Sequence, residues 1–362
     1  MDKRAKYKSI DLFAGIGGIR LGFEQAFGDM IETIYASEWD HKACETYRAN
    51  FNDRFEIAGD VTKIRASDIP AHNILLAGFP CQAFSLAGHK KGFEDARGTL
   101  FFDVARIVDY HQPDIVFCEN VKNFLNHDRG RTFATIQNIF QELGYTVFHK
   151  ILNSCDFGLA QNRERIYIVA FRDDISPLHF SFPQPINRAV SIRDILEDSE
   201  VSAKYYLSDV YLNSLREHKA RHTSRGNGFG YQIRDLDGIA GAIVCGGMGR
   251  ERNLIVDPRL SDFTPVTHIK GKINREYIRK MTPREWARLQ GFPDSFKLPV
   301  ADVHLYKQLG NSVSVPVIRA IATEIKKSLE ITNTNFIFES EEMENGQMAM
   351  TLLGEKDASY GQ

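Results

Sequence analysis

Residues 7–27 read YKSIDLFAGIGGIRLGFEQAF, and this stretch decides the fold. YKSIDLFAG predicts a buried strand that stops at Gly15, a glycine turn follows, and IRLGFEQAF has the spacing of a helix. A strand, a glycine turn and a helix in this order let a ligand approach the backbone and the helix N-terminus. The stretch therefore predicts the first unit of a cofactor-binding α/β domain.

The same alternation continues along the chain. ETIYASE predicts a second strand, and DHKACETYRANF predicts a helix that begins after Asp40 as its N-cap. NILLAGF and DIVFCENV are further short apolar runs of strand type. Strands that alternate with helices of about ten residues indicate a mostly parallel sheet in an α/β domain.

The texture of the chain changes near residue 183, where FPQPINRAV is typical of a linker. We expect a catalytic, cofactor-binding domain over 1–184 and a smaller, irregular, glycine-rich domain over 185–280. Helical spacing returns at MTPREWARLQGF, with Pro283 in the first turn, and SVPVIRAIATEIKKSLEI predicts a final amphipathic helix. Residues 281–331 are thus predicted to complete the first domain, and 332–362 to be a disordered acidic tail.

Composition excludes several classes of protein. No apolar run approaches the ~20 residues of a membrane span, and the N-terminus has no signal-peptide core, so we expect a cytoplasmic protein. The net charge is −2, but residues 339–362 hold six acids and one base, so the rest is mildly basic and compatible with a nucleic-acid partner. The cysteines contain no CxxC pair, which argues against disulfides and a metal site; they are Cys44, Cys81, Cys118, Cys155 and Cys245.

The glycine turn and the strand ends after it point to a nucleoside-type cofactor. The glycine order is not the G-x-G-x-x-G of dinucleotide folds, and no lysine stands where a phosphate loop needs one. Glu38 ends the second strand at the distance at which a ribose hydroxyl pair is usually held. Trp39 offers a face for an adenine, and Asp60 an acceptor for its amino group. The plain alternative is a tight turn with ordinary strand-end acids.

Cys81 lies just past an apolar run, in AGFPCQAFSLAG at 77–88, where its side chain is reachable. Over about residues 8–329, the sequence resembles the cytosine-C5 DNA methyltransferase family. The resemblance depends on motifs in the family's order: DLFAGIGG, Glu38, GFPCQAFS, ENV at 119–121, QNRERIYIVA at 161–170 and QLGNSV at 308–313. It implies a Rossmann-like methyltransferase domain with a smaller target-recognition domain, S-adenosylmethionine as cofactor, and a cytosine flipped out of the duplex.

The resemblance implies a role for each catalytic residue. Cys81 is the expected nucleophile, because a thiolate adds readily to carbon 6 of cytosine and later leaves readily. A protonated Glu119 would bind N3 and the exocyclic amino group, and Arg165 would hold O2, with Arg163 as its neighbour. The plain alternatives are a buried apolar cysteine, as we expect for Cys118, a cap carboxylate and surface arginines.

Further residues are expected to bind the cofactor and DNA. The expected cofactor residues are Phe13, Gly15, Gly17, Gly18, Glu38, Trp39, Asp60 and, by resemblance, Asn311. Ser85 and Arg97, in the loop after Cys81, are expected to contact DNA. Arg225 lies in RGNGFGY, which resembles a stretch in family members that read sites starting CC and ending GG, and an arginine fork suits a guanine edge. The plain alternatives are a solvated basic loop after Cys81, for Ser85 and Arg97, and a solvent-exposed arginine without a ligand, for Arg225.

The sequence thus predicts a DNA cytosine-C5 methyltransferase that acts on double-stranded DNA as a monomer, with a cognate restriction endonuclease acting separately. Methylation of RNA is the first alternative, because a tRNA-modifying branch shares these motifs. A nicotinamide-dependent dehydrogenase that uses the glycine turn, and an inactive DNA-binding relative, are the others.

Overall fold

The computed structural model describes residues 5–80, 99–175, 179–186, 188–266 and 269–330. Three predicted site residues, Cys81, Ser85 and Arg97, lie outside the described residues, and so does the predicted tail over 332–362. No helix within the described ranges is both long enough and apolar enough to cross a membrane.

A six-stranded sheet in the order β2-β1-β3-β4-β7-β5 forms the centre of the fold. The strands of the chain are β1 Tyr7–Leu12, β2 Ile31–Ser37, β3 Ile74–Ala77, β4 Ile115–Val121, β5 Tyr145–Asn153, β6 Gln161–Asn162, β7 Glu164–Arg172, β8 Ala240–Gly241, β9 Leu254–Val256 and β10 Ile278–Lys280. The pairs from β2 to β4 are parallel, whereas β7 is antiparallel to both β4 and β5. The predicted mostly parallel α/β sheet is confirmed, with an antiparallel end.

Helices cover both faces of this sheet. They are α1 Gly18–Phe27, α2 His41–Asn50, α3 Leu100–His111, α4 Arg131–Glu142, α5 Asp209–Ser224, α6 Pro283–Leu289, α7 Asp302–Asn311 and α8 at 315–330. Apolar residues of α3 and α4 pack on one face of the sheet, and those of α1 and α8 on the other. α8 is the last element described and packs on the sheet, so the chain returns to the sheet after its polar middle part.

The predicted helix starts have a visible cause. Asp40 Oδ1 accepts hydrogen bonds from the backbone N–H groups of Lys42 and Ala43, which confirms Asp40 as the N-cap of α2. Pro283 occupies the first turn of α6 inside a capping box formed by Thr282 and Glu285. Both signals are local in sequence, which is why they can be read without knowledge of the fold.

The middle of the chain builds a small core of its own. Leu212 and Leu215 of α5 pack with Leu254 of β9 and Ile278 of β10. The rest of α5 is mostly exposed, so this helix is attached by one narrow apolar stripe. The predicted boundaries of this domain, 185 and 280, stay predictions.

Candidate active site

A cavity of about 730 Å³ opens at the carboxyl ends of the parallel strands, where α/β sheets usually bind ligands. It brings together residues that are far apart in sequence. Its lining includes these predicted cofactor and catalytic residues: Phe13, Gly15, Gly18, Glu38, Trp39, Asp60, Glu119, Arg163, Arg165 and Asn311. A cavity of this size is in the range that small-molecule ligands occupy.

The glycine turn forms one wall of the cavity. Gly15 and Gly17 have φ of 55° and 82°, which favour glycine. A Cβ on Gly17 would lie 2.3 Å from the ring of Phe51, the residue that follows α2, so a side chain there would push the turn away from the end of that helix. Gly17 shapes the turn without being part of the lining, whereas Gly15 lines the cavity itself.

Glu38 ties the turn to the end of β2. Its Oε2 accepts a 2.8 Å hydrogen bond from the backbone N–H of Gly15, and its Oε1 a 2.7 Å bond from that of Asp40. Burial raises the pKa of Glu38, against these backbone donors, which favour the ionised form. Trp39 beside it is 75% exposed, so the face of the indole is available to a ligand.

Asp60 also lines the cavity and follows a short extended segment, in which Ala58 pairs with Ser37 at the end of β2. Its Oδ1 accepts bonds from the backbone N–H of Thr62 at 3.0 Å and from the Thr62 hydroxyl at 2.8 Å. These donors lower the pKa of Asp60, which is therefore ionised at neutral pH. Its orientation is thus set by Thr62, a contact that the sequence alone did not reveal.

Glu119 and Arg165 meet because of the antiparallel register of β4 and β7. Glu119 stands opposite Tyr167, and Arg165 is two residues away on the same face. Arg165 Nε lies 3.2 Å from Glu119 Oε1. Burial raises the pKa of Glu119, although the positive charges of Arg165 and Arg163 lower it. The carboxyl group is thus more easily protonated than an exposed one.

Asn120, which was not singled out in the sequence, fixes the chain that leads to Cys81. Its Nδ2 donates a 2.9 Å hydrogen bond to the carbonyl oxygen of Phe79, and its Oδ1 accepts from the backbone N–H of Val121. Phe79 and Pro80 also line the cavity, so the residue before Cys81 lies at the cavity wall. The sequence signal for Asn120 was its place directly after the carboxylate Glu119, near the end of a predicted strand.

Arg163 is 2% exposed and connects its own segment to two others of the chain. Its terminal nitrogens donate to the carbonyl oxygens of Ile243 at 2.7 Å, Ser312 at 2.6 Å and Gly310 at 3.3 Å. Burial and the neighbouring Arg165 lower its pKa to about 9. Because these donors are engaged with the main chain, the geometry favours a positioning role; its predicted catalytic role stays a prediction.

The QLGNSV segment closes the cavity from the C-terminal side. Asn311 is exposed and lines the cavity, as does Gln308, which the sequence analysis did not single out. Gln308 Oε1 accepts a 2.9 Å hydrogen bond from the Thr46 hydroxyl of α2. Gln308 Nε2 is buried and has no hydrogen-bond partner among the described residues.

Arg225, the predicted DNA-reading residue, lies directly after the last residue of α5 and is exposed. The segment behind it packs along that helix. Gly230 lies over the stem of Lys219, because a Cβ on Gly230 would come within 2.9 Å of Lys219 Cγ. Phe229 packs against His222 with the rings tilted and 5.2 Å between their centres. In RGNGFGY, the aromatic end therefore packs against α5, whereas Arg225 at the start of the stretch is exposed.

Comparison with known proteins gives three kinds of match. The sequence model of the family described as C-5 cytosine-specific DNA methylase matches residues 7–327. The Type II methyltransferase M.HpaII of Haemophilus parainfluenzae is 56% identical over 330 residues, which are 90% of this chain and 91% of that protein. M.SsoII of Shigella sonnei is 46% identical over 332 residues, 91% and 82% of the two chains.

Solved structures share the fold at lower identity. The S. pombe Dnmt2 methyltransferase superposes with a TM-score of 0.66 at 20% identity and covers 90% of this chain and 99% of its own. The Entamoeba histolytica methyltransferase EhMeth has the same TM-score and identity, with 90% and 98% coverage. The predicted Rossmann-like methyltransferase fold is therefore confirmed.

Proposed function

The chain belongs to the C-5 cytosine-specific DNA methylase family, and on this premise we propose that it transfers a methyl group from S-adenosylmethionine to carbon 5 of a flipped cytosine in a short duplex sequence. The observation that carries the proposal is the shared cavity, in which the cofactor-side residues around Glu38 and the pair Glu119–Arg165 line one space. The chain is accordingly a cytosine-C5 DNA methyltransferase, and the dehydrogenase alternative has no support.

The proposed reaction begins with Cys81. Its thiolate forms a bond from sulfur to carbon 6 of cytosine, and the electron pair of the C5–C6 double bond moves toward carbon 5 and the ring. Carbon 5, now nucleophilic, would form a bond to the methyl carbon of S-adenosylmethionine as the bond from that carbon to the sulfonium sulfur breaks and leaves a neutral thioether. Transfer of the proton at carbon 5 to water then restores the C5–C6 double bond as the C6–S bond breaks, which regenerates the thiolate of Cys81.

Glu119 and Arg165 meet the charge that this addition places on the ring. A protonated Glu119 donates to N3, where negative charge develops, and its remaining oxygen accepts from the exocyclic amino group. Burial supports this role, because it raises the pKa of the carboxyl group. Arg165, 3.2 Å from Glu119, is within reach of the adjacent O2. The 11% and 14% exposure of the two side chains keeps this contact largely out of water.

The residues of the other half of the cavity fit S-adenosylmethionine. The Glu38 carboxylate, Asp60 and the exposed Trp39 supply acceptors for hydroxyl and amino groups and a face for a purine, and the unpartnered Nε2 of Gln308 supplies a donor. When bound, the cofactor supplies an electrophilic methyl group on a positively charged sulfur. Asn311 completes this side of the cavity.

We further propose that the protein is the modification enzyme of a restriction–modification system, acting as a monomer in the cytoplasm, with the endonuclease as a separate protein. The support is the name Type II methyltransferase borne by its relatives. Methylation of tRNA is the alternative, and competition between duplex DNA and tRNA for methyl transfer separates the two.

Trapping on a modified base tests the proposed reaction. A duplex with 5-fluorocytosine at the target should form a covalent adduct with the wild type, because fluorine does not leave as a proton does. Cys81→Ser should abolish both the adduct and methyl transfer, since an alcohol is almost never ionised at neutral pH, while Cys155→Ser, a half-buried cysteine outside the cavity lining, serves as the matched control. An adduct with Cys81→Ser would show that another residue is the nucleophile.

A further inference from the structure

Two segments of the middle region lie side by side and fix each other. Gln232 N–H donates to the carbonyl oxygen of Glu251 at 2.9 Å, and Leu254 N–H donates to that of Gln232 at 3.0 Å. A parallel bridge between Ile233 and Leu254 continues the pairing. The segment that carries Phe229 is therefore in register with the segment that carries Arg252.

The backbone of Arg252 is held from both sides. Arg234 Nε donates to the carbonyl oxygen of Arg252 at 3.0 Å and to Asn253 Oδ1 at 3.1 Å. The same Asn253 oxygen accepts from the backbone N–H of Gly241 at 2.8 Å. Glu251 and Asn253, on either side, are 4% and 0% exposed, so Arg252 is the outward residue of a pinned loop.

The side chain of Arg252 is ordered without a carboxylate. Its guanidinium carbon lies 4.9 Å from the centre of the Phe229 ring, a cation–π contact. That ring is itself packed against His218 and His222 of α5, with centres 5.8 and 5.2 Å away. Within the described ranges no carboxylate lies within 4 Å of Arg252.

Two other arginines of the same region are neutralised by carboxylates. Arg216 pairs with Glu276 at 2.6 Å, and Arg259 with Asp257 at 2.8 Å. Their hydrogen-bonding edges are thus already used. Arg252 is exposed and in the same part of the chain, yet its fork is unused by any carboxylate of the described residues.

The chain places Arg252 near the reaction cavity. Gly310 lines the cavity, and a Cβ on it would lie 2.5 Å from the backbone nitrogen of Cys245. Arg252 is seven residues beyond Cys245, a reach of at most about 25 Å. Since bases along one strand are about 3.4 Å apart, this reach from the cavity wall corresponds to about seven base pairs.

We propose that Arg252 reads a guanine in the target sequence from the major groove, with Phe229 holding its fork in place. An arginine fork donates to O6 and N7 of guanine together, and an ordered fork loses less freedom on binding than a mobile one. This inference rests on the proposed function and names a residue that sets the target sequence. Arg225 is the alternative reader predicted from the sequence.

The test is methylation of a pool of duplexes with randomised positions around a cytosine, followed by bisulfite sequencing. Arg252→Ala should reduce the preference for guanine at one position by about tenfold to a hundredfold. Arg252→Lys keeps the charge but not the planar fork, and should lose part of that preference. Arg216→Ala is the matched control, an exposed arginine of the same region whose guanidinium is paired with Glu276; it should leave the preference for guanine unchanged.

The outcomes separate the inference from the function on which it rests. A wild type that methylates no cytosine in the pool would overturn the proposed function and this inference with it. A wild type with a sequence preference that Arg252→Ala leaves unchanged would overturn the inference alone. A phosphate contact at Arg252 would also overturn it, and would appear as an unchanged preference with a salt slope smaller by about one.

Discussion

Two carboxylates of this protein are buried beside two arginines each, yet the pKa of one is lowered and that of the other is raised. Asp257 accepts charge-assisted hydrogen bonds from Arg259 and Arg279 at 2.8 Å, and these lower its pKa to about 2 although burial opposes them. Glu119 has a single contact with Arg165, at 3.2 Å, and there burial prevails and raises the pKa. The number of charge-assisted hydrogen bonds, and not proximity to arginine alone, accounts for the opposite directions of the two pKa shifts.

The surroundings of the two groups differ in the same way. Arg279 is 0% exposed, and its guanidinium also donates to both oxygens of Glu285 at 2.7 Å, so the cluster around it is saturated. At the cavity, Arg163 Nε and Gln308 Nε2 are buried without partners among the described residues. A cluster in which the donors and acceptors are paired stabilises the fold. Buried donors without a partner beside a cavity are available to bind a ligand.

If the fold does not need the saturated cluster of Arg279, Asp257 and Glu285, the contrast with Glu119 is lost. Arg279→Met keeps the volume but leaves Glu285 buried without its fork, and should lower the free energy of unfolding by about 3 to 5 kcal/mol. Urea denaturation measures this. Arg193→Met, which removes an exposed pair with Asp237, is the control and should change little.

Acid titration provides an independent check on the same cluster. Because the pKa of Asp257 is lower in the folded state, its contribution to stability is complete above the unfolded value near 3.9 and is lost as the pH falls toward 2. Arg279→Met should lose less stability over that pH range than the wild type, because it has already lost one of the two arginines that lower the pKa of Asp257. An unfolding free energy unaffected by Arg279→Met would mean that the cluster does not hold the fold.

For Glu119 we expect the opposite of Arg279→Met, a loss of turnover without a loss of stability. Glu119→Gln should lower the turnover number by about 100- to 1,000-fold, because the amide is nearly isosteric but has no proton to donate. Its free energy of unfolding should not fall, since the ionised carboxyl group is already disfavoured by burial. Single-turnover methylation and urea denaturation measure the two quantities, with Glu164→Gln, a half-exposed neighbour paired with Lys122, as control.

The pH dependence identifies the cause of that loss. Wild-type turnover should decline as the pH rises through the pKa of Glu119, which lies above the usual value of a glutamate, and Glu119→Gln should lack this decline. A loss below about tenfold, with the pH profile unchanged, would demote Glu119 to a positioning role.

Sequence reasoning succeeded where the signal is local and failed where it depends on distant partners. The strand before Gly15, the cap at Asp40 and the burial of Cys118, which is 1% exposed, all follow from neighbouring residues and are confirmed. The antiparallel pairing of β7 with β4 and β5 was not predicted, because strand order is set by non-local contacts. Arg163 likewise reaches Gly310, 147 residues away, and nothing in QNRER indicates that partner.

The smallest expected effect concerns Gln308, whose Nε2 is the unused donor on the cofactor side of the cavity. If this donor serves a ligand, Gln308→Met should raise the dissociation constant for S-adenosylmethionine by about two- to tenfold, the range of one neutral hydrogen bond. The unfolding temperature of the ligand-free protein should change little, because the substitution removes the unpaired Nε2 together with the hydrogen bond from Thr46 to Oε1, and the Thr46 hydroxyl still donates to the carbonyl oxygen of Lys42. Calorimetric titration and thermal unfolding measure these, with Thr46→Val as the control that releases the amide without removing it. A lower unfolding temperature with unchanged affinity would place Gln308 with the saturated cluster, as part of the architecture.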